Sequence, residues 1–302
     1  TDFFAAASAA EAAMDHIRSG KGPVCLVADV VRLYPHSSSD DHSKYRTPDE
    51  LEADRNIDPI DRLQHTLTDA GLLSDGEADQ MRDDVRKQVD EAAEWAKQQA
   101  DPSPETAKKY VYFEGNDDIE YSSESDLDPD ADPMVLVDAV NRTLKEEMER
   151  DESILVYGED VAGEKGGVFT ATKDLTSMFG EDRCFNSPLA EASIIGTAVG
   201  LAASGFKPVV EIQFADYIWP AMQQIRNQVA PFRYRSNDDW ACPMVIRVPC
   251  GGYIHGGLCH SQNVESIFGH MPGLKVVMPA TAADAKGLLT TAIRSRDPVL
   301  FL

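Results

Sequence analysis

Glu191 is a carboxylate in an expensive place. It opens the run Glu-Ala-Ser-Ile-Ile-Gly-Thr-Ala-Val-Gly-Leu-Ala-Ala-Ser-Gly, in which Ile194, Ile195, Ala198, Leu201 and Ala202 recur at helical spacing until Gly205 stops the helix. Ser187 predicts the cap and Pro188 the first turn. Small residues at Gly196, Ala198, Gly200 and Ala202 let another backbone approach, so the helix is expected to be buried. A Glu desolvated at the mouth of such a helix has its pKa pushed up, which is how a proton-handling carboxyl is made. The helix dipole alone also favours a first-turn Glu, and this stretch supports both readings.

His260 ends a glycine-rich segment, residues 249–262, that follows a buried strand. In open α/β sheets ligands sit at the carboxyl ends of strands, so His260 is either a proton-transfer group aimed into a cleft or a histidine satisfied beside a helix cap. Residues 32–46 offer a second set, His36 with Ser37, Ser38, Ser39, Asp40 and Asp41, behind a strand predicted over residues 23–31. That set reads as a substrate-facing loop or as a solvated one. His255, Cys259 and His260, with Cys250 nearby, lack paired ligand spacing, and no metal is expected on them. Gly196, Gly200 and Gly205 do not form Gly-x-Gly-x-x-Gly, and no P-loop is present. Ser261 lacks the context of a nucleophile elbow.

The elements that must position these residues follow from periodicity. Ser8 and Glu11 predict a capping box for a first helix bearing Ala13, Met14 and Ile17, before the strand at 23–31. Asp58-Pro59 starts a helix carrying Ile60, Leu63 and Leu67, and Ser74 with Glu77 caps another striped by Met81, Val85 and Val89. Residues 106–133 read as an acidic linker, with one docked strand at Tyr110 to Phe113. Beyond it, helices and strands alternate: a helix through Val140 and Leu144, strands at 154–157, 184–185, 209–214, 243–248, 275–278 and from 298, and a helix capped by Thr281 and Asp284. That order implies an α/β fold with a doubly wound parallel sheet.

With 28 basic and 52 acidic residues the net charge is -24, which excludes a nucleic-acid partner because phosphates need a basic surface. No apolar run approaches the ~20 residues of a membrane span, and no stretch reads as a signal peptide, which says little about a longer parent chain. Five cysteines, an odd number without a Cys-x-x-Cys pair, suggest a reduced interior and a cytoplasmic setting. The chain begins at Thr1 and ends within the apolar run Pro-Val-Leu-Phe-Leu, so it is expected to be an internal piece of a longer polypeptide.

At this point the words of the sequence become specific. Gly-Glu-Asp-Val at 158–161, Gly-Gly-Val-Phe at 166–169, Pro-Leu-Ala-Glu at 188–191, Glu-Ile-Gln-Phe-Ala-Asp-Tyr at 211–217, His-Ser-Gln at 260–262 and Pro-Gly-Leu-Lys-Val-Val at 272–277 stand in order. Through them residues 134–302 resemble the transketolase-like pyrimidine-binding domain of the beta subunit of thiamine-diphosphate-dependent 2-oxo acid dehydrogenases, the E1 component. Thr-Asp-Phe-Phe-Ala at the start, Pro-His-Ser-Ser-Ser-Asp-Asp at 35–41 and Tyr45-Arg46 make residues 1–105 similar to the carboxyl-terminal part of the alpha subunit. Tail of alpha before head of beta implies a fused E1.

The resemblance implies roles. Glu191 is similar to the Glu that hydrogen-bonds the aminopyrimidine of thiamine diphosphate and so promotes the cofactor's activation. His260 and His36 resemble the two histidines that handle protons during acyl transfer, and Gln213 and Tyr217 resemble cleft residues beside the cofactor. Ser37 lies where animal branched-chain alpha subunits are phosphorylated, and that regulation is not carried over. The implied reaction is oxidative decarboxylation of a branched-chain 2-oxo acid or pyruvate, with the acyl group passed to a lipoyl-bearing E2 partner. Self-association as a dimer or an alpha2beta2-like assembly is implied as well. The Gly-Asp-Gly motif that holds diphosphate and Mg²⁺ in this family is absent, as is the beta carboxyl-terminal domain, so this chain alone is expected to bind cofactor weakly and turn nothing over. A non-catalytic assembly module and another thiamine enzyme of transketolase type are the competing readings.

Overall fold

The computed structural model describes residues 2–115 and 133–302; the part of the expected linker at 116–132 lies outside the described residues. The chain forms two compact units, Thr1–Asp101 and Pro102–Leu302.

The first unit is helical. Helix α1 (Phe3–Arg18) is capped by Asp2, whose side chain accepts from the Ala5 amide, so the Ser8/Glu11 box expected from sequence is instead interior helix. Helices α2 (Pro48–Arg55), α3 (Pro59–Asp69) and α4 (Asp75–Lys97) follow, each started by its own side-chain cap. Asp58 caps α3 and the Ser74/Glu77 box caps α4, as periodicity predicts. Arg82 joins these two helices through Asp61 and Gln64. The strand expected over residues 23–31 is absent, and Val27 there is 91% exposed. A strand needs a neighbour for its main-chain groups, and the described residues of this unit contain no other strand.

The second unit is built on a sheet of six strands. It opens with α5 (Leu136–Arg150), β1 (Ile154–Gly158), α6 (Leu175–Phe179), β2 (Cys184–Asn186), α7 (Glu191–Ala203) and β3 (Lys207–Glu211). Next come α8 (Met222–Gln224) running into a π-helical turn at Ile225–Val229, then α9 (Phe232–Arg235) and β4 (Val245–Arg247). Helix α10 (Glu265–Phe268), β5 (Lys275–Val277), α11 (Ala282–Arg294) and β6 (Val299–Phe301) complete it. All pairings are parallel, in the order β2-β1-β3-β4-β6-β5. The doubly wound sheet predicted from the alternation is therefore present.

Side chains alternate across the strands, so neighbouring residues enter different cores. Val210 and Ile246 pack with Ile194, Ile195 and Phe268 on one face, while Val209 and Val245 pack with Leu144, Met148 and Leu289 on the other. Helix α7 begins at Glu191, three residues later than the Ser187 and Pro188 signal predicts, because Ala190 takes the cap position without a side-chain bond. Strand β3 ends at Glu211, and the apolar run beyond it turns away as Ile212 to Phe214. Residues 106–115 of the expected linker belong to this unit, and Tyr110 to Phe113 are not a strand: Tyr110 has φ 63°, which breaks an extended run.

Candidate active site

The chain reverses direction across the sheet at β1. It leaves β1 towards the edge strand β2 and returns through α7 to β3 on the other side. A crevice outside the carboxyl ends of β1 and β3 follows from that reversal, and it is the default place for a ligand in such a sheet. Glu159 directly follows β1, Gln213 follows β3, and Glu191 starts the helix reached through β2. The approach of β1 to β3 is close: a Cβ on Gly158 would stand 2.3 Å from the Glu211 carbonyl oxygen, so only glycine fits before Glu159.

Glu159 is the residue that sequence reasoning missed. It is 2% exposed, and its Oε1 is buried without a hydrogen-bond partner. Burial, then the charges of Glu191 and Asp160, push its carboxyl up to about 7. Glu159 is thus the buried acid of this site, and Glu191, the carboxyl that the sequence singles out, is half-buried. The signal was in the sequence, since Glu159 lies in the Gly-Glu-Asp-Val word at a strand's carboxyl end, but no periodicity distinguishes it from Asp160 beside it. Asp160 is held ionised and below its ordinary range, first by the hydrogen bond from Lys165.

Gln213 lines the same end of the sheet. Its Nε2 donates to the Glu159 carbonyl at 3.3 Å and to Asp160 Oδ2 at 3.0 Å, tying the β3 loop to the β1 loop. Beneath them Glu211 and Arg247, register partners on β3 and β4, form a buried ion pair. A buried pair of this kind holds two strands in register provided neither partner is lost.

His260 is brought to this unit's strand ends by the glycine-rich loop. Tyr217 Oη and His260 Nε2 are 2.7 Å apart. Phe214 meets the imidazole edge to face at 4.6 Å between centroids, and Tyr217 packs against Phe214 in turn. The loop is anchored by the Gln262 amide on Asp216 Oδ2 and by the Gly256 amide on Ser261 Oγ. The ring orientation of His260 is thus set by Tyr217 and Phe214, leaving Nδ1 as the other ring nitrogen.

His36 lies in the first unit, on an exposed loop. Its amide donates to Asp40 Oδ2, which also accepts from Tyr45 Oη, and Arg32 donates to Tyr45 in turn. The loop is locally organised rather than merely solvated. Among the described residues, no group of three or more His, Cys, Asp or Glu side chains could hold a metal ion. A cavity of about 570 Å³ lies along α7, lined by Tyr157, Asn186, Ser193 and Thr197, and none of Glu159, Glu191, Gln213 or His260 borders it.

Comparison with known proteins agrees with this architecture. Residues 132–302 match the family model described as transketolase, pyrimidine binding domain, and residues 1–105 match that of the dehydrogenase E1 component. The 2-oxoisovalerate dehydrogenase subunit beta of Bacillus subtilis is 56% identical over 168 residues, 56% of this chain and 51% of that protein. The pyruvate dehydrogenase E1 component subunit beta of the same organism is 48% identical over 169 residues, covering 56% and 52%. The chain thus spans about half the length of the curated relatives it matches. Among solved structures, a split-gene transketolase in an inactive beta4 tetramer aligns with 56% of this chain and 50% of its own at 24% identity and a TM-score of 0.43.

Proposed function

The chain belongs to the family of transketolase-type pyrimidine-binding domains, and from that membership we propose that it serves as part of the E1 component of a 2-oxo acid dehydrogenase. The reading rests on the Glu159 and Glu191 carboxyls at the strand-order reversal, with Gln213 and the Tyr217-oriented His260 at the carboxyl ends of the same sheet. The names of the relatives supply the substrate class, a branched-chain 2-oxo acid or pyruvate.

The residues present fit one end of thiamine diphosphate. A buried carboxyl oxygen without a partner beside a half-buried carboxylate suits the ring nitrogen and amino group of an aminopyrimidine. For the diphosphate end, the cation on the same loop, Lys165, is already tied to Asp160. When bound, the cofactor supplies the carbon nucleophile and the electron sink for decarboxylation.

This chain's residues then have distinct tasks. Glu191 accepts or donates the hydrogen bond to the pyrimidine nitrogen. Glu159, protonated up to near neutral pH, keeps a second negative charge out of the space beside Glu191. Gln213 holds the β1 loop that carries Glu159. His260, fixed through Nε2, presents Nδ1 to move a proton at the substrate oxygen. His36 would serve as the second proton-handling histidine, and the acyl group would pass to a lipoyl-bearing E2 partner of a self-associated E1.

Titrating thiamine diphosphate with Mg²⁺ into the chain tests the reading. Binding is expected to be weak, on the order of millimolar, and to fall at least about tenfold in Glu191→Gln. Equal affinity in the two chains would remove Glu191 from the site. Measurable decarboxylation of a 2-oxo acid by this chain alone would contradict the expectation that another domain completes the site.

A further inference from the structure

The match to the first family ends at residue 105 and the match to the second begins at 132, so neither accounts for the segment between them. Its described part, up to Gly115, nonetheless has a built seat. The Phe113 amide donates to Asp297 Oδ1 at 2.9 Å and Oδ2 at 3.2 Å. Asp297 is 2% exposed and also receives Arg233 and Lys275. The Phe113 ring lies 5.2 Å from the Arg233 guanidinium carbon and 4.6 Å from that of Arg296. The π-cloud of the ring attracts both cations.

The main chain of the segment is seated as closely as its side chain. Gly273 has φ 91°, and a Cβ there would stand 2.0 Å from the Ala230 carbonyl oxygen and 3.3 Å from that of Val111. Ala230 and the positive φ require glycine there, and the Val111 carbonyl of the segment lies against the same position. The left-handed Tyr110 turn is closed by its amide on Glu114 Oε1 at 3.1 Å. Ala107 and Val111 roof a cavity of about 390 Å³ over Tyr234, His270 and Met271. A spacer that only joins two bodies needs none of these fittings.

We infer that Asp297, Arg233 and Arg296 form a receptor for one aromatic residue of a docking peptide, and that Phe113 fills it in cis. Residues 102–115 are then a working part of the pyrimidine-binding unit, and the chain leaves that unit at Pro102. The chemistry defines what fits: an aromatic ring with a free main-chain N–H on the same residue, offered to a buried carboxylate between two guanidiniums. The inference is independent of the activity proposed above.

Hydrogen exchange on the full chain, read by mass spectrometry, tests it. Amides of residues 109–114 are expected to exchange at least about tenfold more slowly than in an unstructured peptide. Phe113→Ala is expected to abolish that protection while the peptide covering α5 keeps its own. Phe113→Trp, which keeps a ring face, retains it, and Arg296→Ala, at an exposed position, loses part of it. Free exchange of residues 109–114 in the native chain overturns the inference, as does native protection in Phe113→Ala. Should Phe113→Ala also unprotect α5, the other two variants decide: the same protection in Phe113→Trp and Arg296→Ala overturns it.

Discussion

At the scale of the residue, Glu159 dominates the chemistry. Its folded pKa of about 7 against an ordinary 4.5 means that the folded state binds its proton more tightly than the unfolded chain does. Stability from this group is complete below the ordinary value and is lost as pH rises through 7, by about 3 kcal/mol in total. Glu159→Gln removes the dependence. The stability advantage of the variant over the native chain, read from urea midpoints, is expected to grow between about pH 5 and pH 8. Parallel profiles would mean that Glu159 is solvated. A smaller effect is expected at Tyr217→Phe, which removes the partner of His260 Nε2 at 2.7 Å and costs about 1 kcal/mol in the same measurement.

At the scale of the element, two devices hold the sheet that carries the site. The Glu211 and Arg247 pair joins β3 to β4 directly below Gln213, and both partners are buried. Arg247→Met leaves the buried Glu211 carboxyl without its partner, and unfolding experiments should show a loss of roughly 3–5 kcal/mol. A loss below about 1 kcal/mol would mean that water reaches the pair. The second device is the capping box of α11, where Thr281 and Asp284 satisfy each other's amides. Helix α11 buries Leu289, Ala292 and Ile293 against α5 and the sheet, so fraying is transmitted to the core. Thr281→Ala is expected to cost about 1 kcal/mol, with circular dichroism melting as the check. The same box was readable from a Thr and an Asp three residues apart, because capping is a local contract between near neighbours.

At the scale of the whole molecule, the two units differ in what holds them. Of the buried hydrophobic residues among those described, only Ala13 and Ala78 belong to Thr1–Asp101, whereas Phe3, Val27 and Trp95 in that unit are exposed. Burial of apolar surface is the main stabilising term, so this unit has little of its own. Limited proteolysis is expected to cleave within residues 22–46 long before the sheet of Pro102–Leu302 is touched. Simultaneous loss of both units would show that the first is held by contacts other than its own core. Thiol labelling gives a parallel view: Cys25 and Cys259 are exposed and should react at once. Cys242, buried and with its thiol pushed up to about 12 by desolvation, should react only on unfolding.

Much of this molecule was determined by sequence alone. The alternation of helical and strand periodicity in residues 134–302 requires a parallel sheet, and local caps at Ser74, Asp58 and Thr281 follow from neighbours within three residues. The order of motif words pointed to the family, and three of them, at 158–161, 188–191 and 211–217, stand at a strand end or a helix start. Tertiary structure decided the rest, because burial and charge proximity are set by chain segments far apart in sequence. Glu159 and Asp160 are adjacent acids, and only the fold desolvates the first and pairs the second with Lys165. Residues 23–31 have the apolar composition of a strand but no neighbour to pair with among the described residues of their unit. Phe113 looked like part of a spacer until Asp297, 184 positions away, supplied an acceptor for its amide.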